Sequence, residues 1–262
     1  MKNSQEMWAG PVRCKDKKLR QLIRENSIVR KLRTGEYYLS PGNPIYYVAY
    51  VASGVTSHYM FSANGREKVL YRLGTGWFFS EGIFYNENGS IEVATRYAIA
   101  EEETTLWLID REHFVKLLEN RQFVEAILHS TVEKCTILRY EIESLTFDST
   151  SDRLKKLLLS CVDSGRLNDG GWYDLCVAWT HQSIAAVMGI NRVTVSRFIT
   201  ELKSEGFLRT VNGSIQISKT YFDLKKKKKK LLCAGAGRRS CCVPARAGRR
   251  RTSPGGEAKE CE

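Results

Sequence analysis

The stretch that most constrains the fold of this chain covers residues 179–198, where two short helices are predicted on either side of one glycine. The hydroxyl of Thr180 can cap the first helix. Gly189 stands where that helix must end, because a residue without a Cβ adopts the left-handed conformation easily. Between the two lies an apolar face with spacings of three and four, formed by Ile184, Val187 and Met188. The pattern predicts a helix-turn-helix.

The second helix of this pair, which Asn191 can cap, has two chemically different faces. Its apolar face is predicted to contain Val195, Phe198, Ile199 and Leu202. Its outward face carries two arginines and small side chains, namely Arg192, Val193, Ser196 and Arg197. Such a helix suits the major groove of DNA, where arginine pairs with guanine edges or phosphates and methyl groups pack on thymine.

A β-hairpin is predicted directly after the second helix. The pair Asn212-Gly213 separates two segments that alternate apolar and polar residues, 207–211 and 214–217. Asn-Gly between such segments is the strongest short-range hairpin signal. Two helices followed by a hairpin indicate a winged helix that binds DNA. The alternative is an ordinary pair of packed helices without a nucleic-acid role.

A long helix is predicted upstream, from about Arg121 to Leu145. Residues four and three apart follow one another along it over three heptads, in the series Val124, Leu128, Thr131, Cys135, Leu138, Ile142 and Leu145. A 3.5-residue repeat is typical of a coiled-coil interface, so the pattern predicts a parallel dimer. Two copies can then engage half-sites one helical turn apart. The alternative is a single amphipathic helix lying on its own domain.

Short strands separated by glycine-containing turns are predicted between Val29 and Ile109, which indicates an antiparallel β-roll or jelly roll. The segment from Tyr37 to Trp107 holds 15 of the 27 aromatic residues of the chain. Core filling explains most of them. The alternative is an aromatic-lined ligand cavity in the mouth of the roll, with Tyr71, Trp77, Phe79 and Tyr97 as lining residues and Glu81 as a further effector contact.

These patterns predict an α+β chain with four parts. Residues 1–120 form an effector-sensing β-roll domain, 121–147 a dimerisation helix, 148–224 a winged helix-turn-helix and 225–262 a disordered basic tail. The tail carries 13 of the 41 basic residues and 3 of the 29 acidic ones, so +10 of the net +12 lies there. It is either an out-of-frame product that follows the lysine run 225–230 or an arm with non-specific phosphate affinity.

Several function classes are disfavoured by the sequence. No apolar run approaches about 18 residues and the N-terminus lacks a signal-peptide core, so we expect a cytoplasmic protein without a membrane partner. No C-x-x-C spacing occurs, and the histidines are scattered at His58, His113, His129 and His181, so we expect no metal and no cofactor. No nucleophile–base arrangement indicates an enzyme. A thiol-redox switch through Cys14 or Cys176 is the alternative to a small-molecule effector.

Together, the roll, long helix, hinge and winged helix resemble the Crp–Fnr family of bacterial transcription regulators over about residues 28–222. The most specific matches are Thr180-x-Gln182-x-Ile184-Ala185 and Gly189-x-x-Arg192-x-Thr194-Val195-Ser196-Arg197. The resemblance implies a homodimer on a palindromic operator, an effector in the roll and RNA polymerase as a further partner. It implies a DNA-binding set consisting of Thr180, Gln182, Asn191, Arg192, Val193, Thr194, Ser196 and Arg197. Val193 stands where many members carry an acid, so we expect a half-site other than TGTGA.

The resemblance also bears on the effector. Ser80-Glu81 replaces the Gly-Glu pair of cyclic-nucleotide binders, and Glu92-Val93 stands where their arginine and hydroxyl belong. A glutamate facing a phosphodiester is repulsive, so cyclic nucleotide binding is not expected. The chain is more similar to the branch that responds to halogenated phenols, through residues 193–197 and through Lys134, which that branch uses to hold a phenolate. An ordinary solvated lysine is the alternative for Lys134.

Overall fold

The structure is a computed structural model that describes residues 16–84 and 91–224. The predictions for Cys14 and for the tail 225–262 lie outside these residues. One helix and eight strands build the first half, as α1 Lys17–Glu25, β1 Ile28–Leu32, β2 Tyr37–Leu39, β3 Val48–Ser53, β4 Thr56–Phe61, β5 Glu67–Leu73, β6 Phe78–Phe79, β7 Tyr97–Ala100 and β8 Thr104–Ile109. The strands form two antiparallel four-stranded sheets, ordered β1-β8-β3-β6 and β2-β7-β4-β5. We call this part the roll.

The core of the roll lies between its two sheets and is rich in aromatic side chains. Tyr50, Trp77, Phe78 and Phe79 are fully buried there. At the turn after β3 the backbone passes close to β8: Gly54 has φ +84°, and a Cβ on it would lie 2.7 Å from the Cα of Thr104. Aromatic core filling therefore accounts for Trp77 and Phe79.

Two helices connect the roll to the rest of the chain, α2 Arg111–Leu117 and α3 Arg121–Phe147. We call α3 the stem. One face of the stem is buried on the roll through Phe123, Ile127, Ser130, Lys134 and Ile137. Of the predicted heptad residues, Leu138 packs against the core of the roll, whereas Leu128, Ile142 and Leu145 are 57%, 64% and 51% exposed. The stem thus lies on its own domain mainly through residues outside the heptad series, most of which stays uncovered.

The second half has the predicted order of elements, as α4 Thr150–Ser160, β9 Val162–Leu167, β10 Trp172–Leu175, α5 His181–Met188, α6 Arg192–Ser204, β11 Leu208–Val211 and β12 Ser214–Ser218. We call this part the winged helix. Its sheet has the order β11-β12-β10-β9 and is antiparallel. Asn212 and Gly213, with φ of 48° and 79°, form the predicted hairpin turn between β11 and β12.

One strand of the winged helix was not predicted. No strand was expected at residues 162–167, which β9 occupies. This strand is polar and mostly exposed beyond Val162, so it lacks the apolar alternation that marks a strand. Its pairing with β10 forms the ladder instead.

The roll contacts the winged helix where β5 meets the C-terminal end of α5. Lys68 of β5 donates from Nζ to the carbonyl of Val187, 2.6 Å away, and to Oε1 of Glu141 on the stem, 2.5 Å away. Arg153 of α4 donates to the carbonyl of Met188 at 2.9 Å. Two cations thus satisfy carbonyls at the C-terminus of α5, where the helix dipole favours positive charge.

Across the described ranges, no helix combines the length and the apolar character needed to cross a membrane. The same residues contain no cluster of three or more side chains suited to hold a metal ion.

Candidate nucleic-acid interface

The helix-turn-helix is held by local contacts at both ends of α5. The hydroxyl of Thr180 accepts a hydrogen bond from the amide of Ser183 at 3.0 Å, and Ser183 Oγ accepts one from the amide of Thr180 at 2.9 Å. Gly189 ends the helix with φ +66°. Both predicted end points of α5 are confirmed, and the hydroxyl of Thr180 is engaged in the cap.

The start of α6 differs from the prediction in one respect. Asn191 occupies the capping position with extended backbone angles, but its side chain makes no capping hydrogen bond, so the predicted side-chain cap is wrong. The side chain of Asn191 is exposed. The first N–H groups of α6 therefore lack that partner.

The two faces of α6 separate largely as the pattern indicates. Val195, Ile199 and Leu202 are buried, whereas Phe198 is only half-buried. Val193 is 80% exposed, and Arg192 is exposed beside it. The outward face of α6 therefore presents side chains that make few contacts with the rest of the described chain.

Arg197 lies on this outward face with two intrahelical contacts. Its guanidinium lies 5.1 Å from the ring centroid of Phe198, and its Nε lies 3.7 Å from a carboxylate oxygen of Glu201. Both groups are well exposed, so this pair contributes little to stability. The contacts pre-orient the guanidinium without burying it.

One residue outside the predicted set joins the two helices. Nδ1 of His181, the first residue of α5, lies 2.9 Å from Oγ of Ser196 on α6. The hydroxyl of Ser196 also donates to the carbonyl of Arg192, 3.2 Å away. The sequence indicates His181 as a site residue in one way only, since it follows the capping threonine in the first turn of α5. Of the predicted set, Thr194 and Ser196 are half-buried and the others are exposed, all on adjoining turns of α5 and α6.

Lys134 of the stem is buried against the roll and is not solvated. Its Nζ donates to the carbonyl of Phe78 at 2.8 Å and forms an ion pair with Oε1 of Glu81. Hydroxyls of Ser130 and Thr131 lie 3.4 and 3.3 Å from the same oxygen. Burial lowers the pKa of Lys134, and the charge of Glu81 opposes that shift. The alternative of an ordinary solvated lysine is therefore wrong, and the role of Lys134 as an effector contact stays a prediction.

A second polar group lies inside the roll close to this pair. His58 is fully buried, with Nε2 3.2 Å from Oγ1 of Thr56, and Nδ1 accepts from Nε of Arg96 at 3.4 Å. Burial holds the pKa of His58 well below its usual range, and the charges of Arg96 and Lys134 add to that effect. The His58 ring therefore remains neutral beside two cations. No sequence pattern singled out His58 or Arg96 as site residues.

The predicted aromatic lining is only partly brought together. The ring of Tyr71 lies 5.0 Å from that of His58, and burial raises its pKa. Tyr97 lies on the opposite face of its sheet, because Ala98 and Ala100 of the same strand face the core. There it stacks on Tyr59, with ring centroids 5.3 Å apart. The prediction that Tyr97 lines the interior is wrong, since side chains alternate along a strand.

Comparisons with known proteins match both halves of the chain. Residues 29–121 match the family described as "Cyclic nucleotide-binding domain", and residues 152–220 match "Crp-like helix-turn-helix domain". The chain is 27% identical over 187 residues to the "Cyclic AMP receptor protein" of Thermus thermophilus. The aligned region covers 67% of this chain and 80% of that protein.

Solved structures show the same fold at low sequence identity. The c-di-GMP responsive regulator CLP of Xanthomonas campestris is similar with a TM-score of 0.67 and 20% identity, over 78% of this chain and 99% of that one. A CooA variant of Carboxydothermus hydrogenoformans is similar with a TM-score of 0.62 and 22% identity, over 79% of this chain and 89% of that one. CprK in complex with OCPA is similar with a TM-score of 0.61 and 19% identity, over 79% of this chain and 93% of that one. The shared fold is therefore that of an N-terminal cyclic-nucleotide-binding-like domain, a long helix and a C-terminal helix-turn-helix.

Proposed function

We propose that the chain is a Crp–Fnr-type transcription regulator, an effector-responsive homodimer that binds palindromic promoter DNA through its two winged helices. The proposal assigns residues 1–120 to effector sensing, 121–147 to dimerisation and 148–224 to DNA binding. It includes RNA polymerase as a partner and the cytoplasm as the location, and it assigns no catalytic activity or cofactor.

The outward face of α6 carries the DNA-binding part of this proposal. Arg192, Val193 and Arg197 are exposed on one helix that a hairpin and a capped helix hold in place. Arginine reads guanine edges or phosphates in the major groove, and the methyl groups of valine pack on thymine. With Val193 in place of an acid, we propose a half-site other than TGTGA.

The uncovered stripe on the stem supports the dimer. Leu128, Ile142 and Leu145 of the heptad series are more than half exposed, and Val124 and Leu138 are partly so. Apolar residues sustained over three heptads bury themselves when a second copy of the same helix packs against them. Thr131 and Cys135 continue this stripe and are also exposed. The roll uses a different face of the stem, so both contacts fit on one helix.

For the effector, we propose a small anionic aromatic compound, with a halogenated phenolate as the first candidate. Such a ligand would compete with Glu81 for Lys134, because the carboxylate already occupies the place where an acidic oxygen would pair with Nζ. Arg96 provides a second cation nearby, and Tyr71 provides an aromatic surface. Glu92 and Val93 do not supply the arginine and hydroxyl that the phosphate of a cyclic nucleotide needs.

The test starts by selecting duplexes from a random pool with the purified full chain. Sedimentation should give a dimer, and footprinting of a selected duplex should protect two inverted half-sites. Monomers at every concentration, or protection without a palindrome, would contradict the proposal. 3-Chloro-4-hydroxyphenylacetate should raise the melting temperature, whereas cyclic AMP should not, because a ligand that binds the native state stabilises it. Stabilisation by cyclic AMP alone would overturn the effector assignment.

A thiol switch is the second candidate, since one observation favours it. Cys176 donates from its backbone N–H to the carbonyl of Cys161 at 2.8 Å, next to the pair Leu175 and Val162 of adjacent strands. Opposed residues on antiparallel strands have Cα atoms about 5 Å apart, a spacing that a disulfide can bridge. Hydrogen peroxide would take two electrons and two protons from the thiols and become two waters.

Peptide mapping after peroxide treatment tests this candidate. A Cys161–Cys176 crosslink, with a change in operator affinity that Cys176→Ser removes, would support it. Equal affinity in peroxide and in dithiothreitol would exclude a redox switch.

A further inference from the structure

The proton on the ring of His181 is placed by its contact with α6. The hydroxyl of Ser196 lies 2.9 Å from Nδ1 of His181 and 3.2 Å from the carbonyl of Arg192. A carbonyl can only accept, so the single hydroxyl proton of Ser196 is donated to Arg192. Ser196 then offers a lone pair to His181, and the bond between them requires a proton on Nδ1.

This tautomer determines what the other ring nitrogen can do. A neutral imidazole carries one proton, so with Nδ1–H fixed, Nε2 of His181 is a bare acceptor. An N–H at Nε2 exists only when the ring is protonated and charged. Within the described residues no group forms a hydrogen bond with Nε2, and the half-buried ring leaves His181 partly open to solvent.

The position of His181 is where DNA is expected. It is the first residue of α5, and the first helix of a helix-turn-helix crosses the phosphate backbone while the second enters the groove. A bare acceptor facing a phosphate is repulsive, whereas an imidazolium N–H forms a charge-assisted hydrogen bond with it.

We infer that His181 is a DNA-backbone contact that binds phosphate only in its protonated form, so that each half-site takes up one proton when the operator binds. The inference rests on the proposed function and extends it to a residue outside the predicted DNA-binding set. Because only the charged ring donates from Nε2, operator affinity rises as the pH falls.

The charged groups around α5 do not replace this contact. His181 is the only titratable residue of α5 itself. The charged residues of α6, which packs against α5, are Arg192, Arg197, Glu201 and Lys203. The charged residues of β5 are Glu67, Lys68 and Arg72, and Lys68 binds at Val187, near the opposite end of α5. His181 is therefore the only imidazole on α5, α6 and β5.

The experiment measures the affinity of the full chain for a duplex selected from a random pool, between about pH 6 and pH 8 at constant ionic strength. The wild type should bind about tenfold more tightly per half-site at the lower pH, since the uptake of one proton changes the affinity by up to about tenfold per pH unit. His181→Arg should bind tightly at both pH values. His181→Gln should bind weakly at both.

Salt dependence separates a phosphate contact from a merely structural role. Loss of one phosphate contact lowers the slope of log affinity against log salt by about one per protomer. His181→Gln should show this loss near pH 6 and not near pH 8. His113→Gln, which alters an imidazole paired with Asp110 on α2, is the matched control and should keep both the pH effect and the salt slope.

Ser196→Ala adds a test of the tautomer. Without the Ser196 acceptor, a neutral His181 can carry its proton on Nε2, so the pH effect should shrink even if overall affinity changes. A pH-independent wild type, an unchanged pH effect in His181→Gln, or an unchanged salt slope of that variant near pH 6 would each overturn the inference. Failure to recover any bound duplex at either pH would overturn the proposed function and this contact with it.

Discussion

The winged helix and the roll treat their charged side chains in opposite ways. In the winged helix, Arg192 and Arg197 lie outside, on a helix held by contacts between residues close in sequence. In the roll, Lys134 lies inside and pairs with Glu81, from which it is separated by 53 residues. The difference indicates that recognition in the winged helix depends on exposed side chains, whereas the polar groups of the roll are part of its packing. Substitutions should therefore change DNA affinity in one region and stability in the other.

The largest expected effect comes from a glycine in the roll. Gly54→Ala should lower the free energy of unfolding by about 4 kcal/mol, since a positive-φ backbone and overpacking each cost roughly 1–3 kcal/mol. The new Cβ would meet Oγ1 of Thr104 at 2.4 Å and the carbonyl oxygen of Glu103 at 2.6 Å. Gly206→Ala in the winged helix is the matched control, because its φ is +70° but nothing lies within 4 Å. Urea titration of both variants measures the difference, and equal losses would break the comparison.

The buried ion pair of the roll is expected to come next. Lys134→Met should destabilise the fold by about 3 kcal/mol, because removing one partner leaves Glu81 unpaired at a largely buried position. Adding Glu81→Gln to this variant should restore part of the loss. Thermal melting of the single and double variants tests this. A double variant that is less stable than the single one would contradict the claim that an unpaired Glu81 causes the loss of stability.

Substitutions on the outer face of the winged helix should lower DNA affinity and leave stability almost unchanged. Arg192→Ala should weaken binding to a selected duplex by about 2 kcal/mol per protomer, roughly thirtyfold, because one base or phosphate contact is lost. Its melting temperature should hardly change, since exposed substitutions usually alter stability by less than about 0.5 kcal/mol. Arg121→Ala on the stem, equally exposed, serves as the control for charge. A fall in stability with unchanged DNA affinity would reverse the assignment of the two regions.

The smallest effect concerns pH. Burial holds the pKa of His58 well below its ordinary value of 6.5, so below that value the unfolded chain binds a proton that the folded chain does not. The contribution of His58 to stability is therefore complete above about pH 6.5. It is lost as the pH falls, by up to about 1.4 kcal/mol per unit, until the folded group titrates.

Unfolding titrations between about pH 7 and pH 5 measure this slope. It should decrease in His58→Phe and persist in His129→Gln, which alters an exposed histidine on the stem. An unchanged slope in His58→Phe would assign the acid sensitivity to other groups.

The same contrast explains which features were predictable from sequence. The ends of α5, the turn at Asn212-Gly213 and the apolar face of α6 depend on residues within a few positions of one another, so local patterns predicted them. The strand β9 has no such pattern, since only its pairing with β10 makes it a strand. Asn191 shows the limit of this approach, because residue type indicated a cap whose side-chain bond the structure does not contain.

The interior of the roll could not be predicted in the same way. Lys134 and Glu81 were each selected as effector contacts, but no local pattern shows that they engage each other. His58 on β4 and Arg96, directly before β7, make contact although 38 positions separate them in sequence. Tyr97 lies on the outer face of β7 because the adjacent Ala98 faces the core, and the sequence pattern did not show which of the two faces inward. Such contacts follow from strand register, which a sequence pattern alone does not specify.

The bond from Lys68 to Val187 has a mechanical consequence for the chain at Asp148, where the stem ends. The winged helix is joined to the rest of the molecule by the covalent link after the stem, by the contact of Arg153 with Glu141 and by this bond at the far end of α5. A body held at separate points cannot swivel about any one of them alone. Any turn that carries α5 away from β5 strips a carbonyl of its partner, so rotation at Asp148 and separation from the roll must occur together.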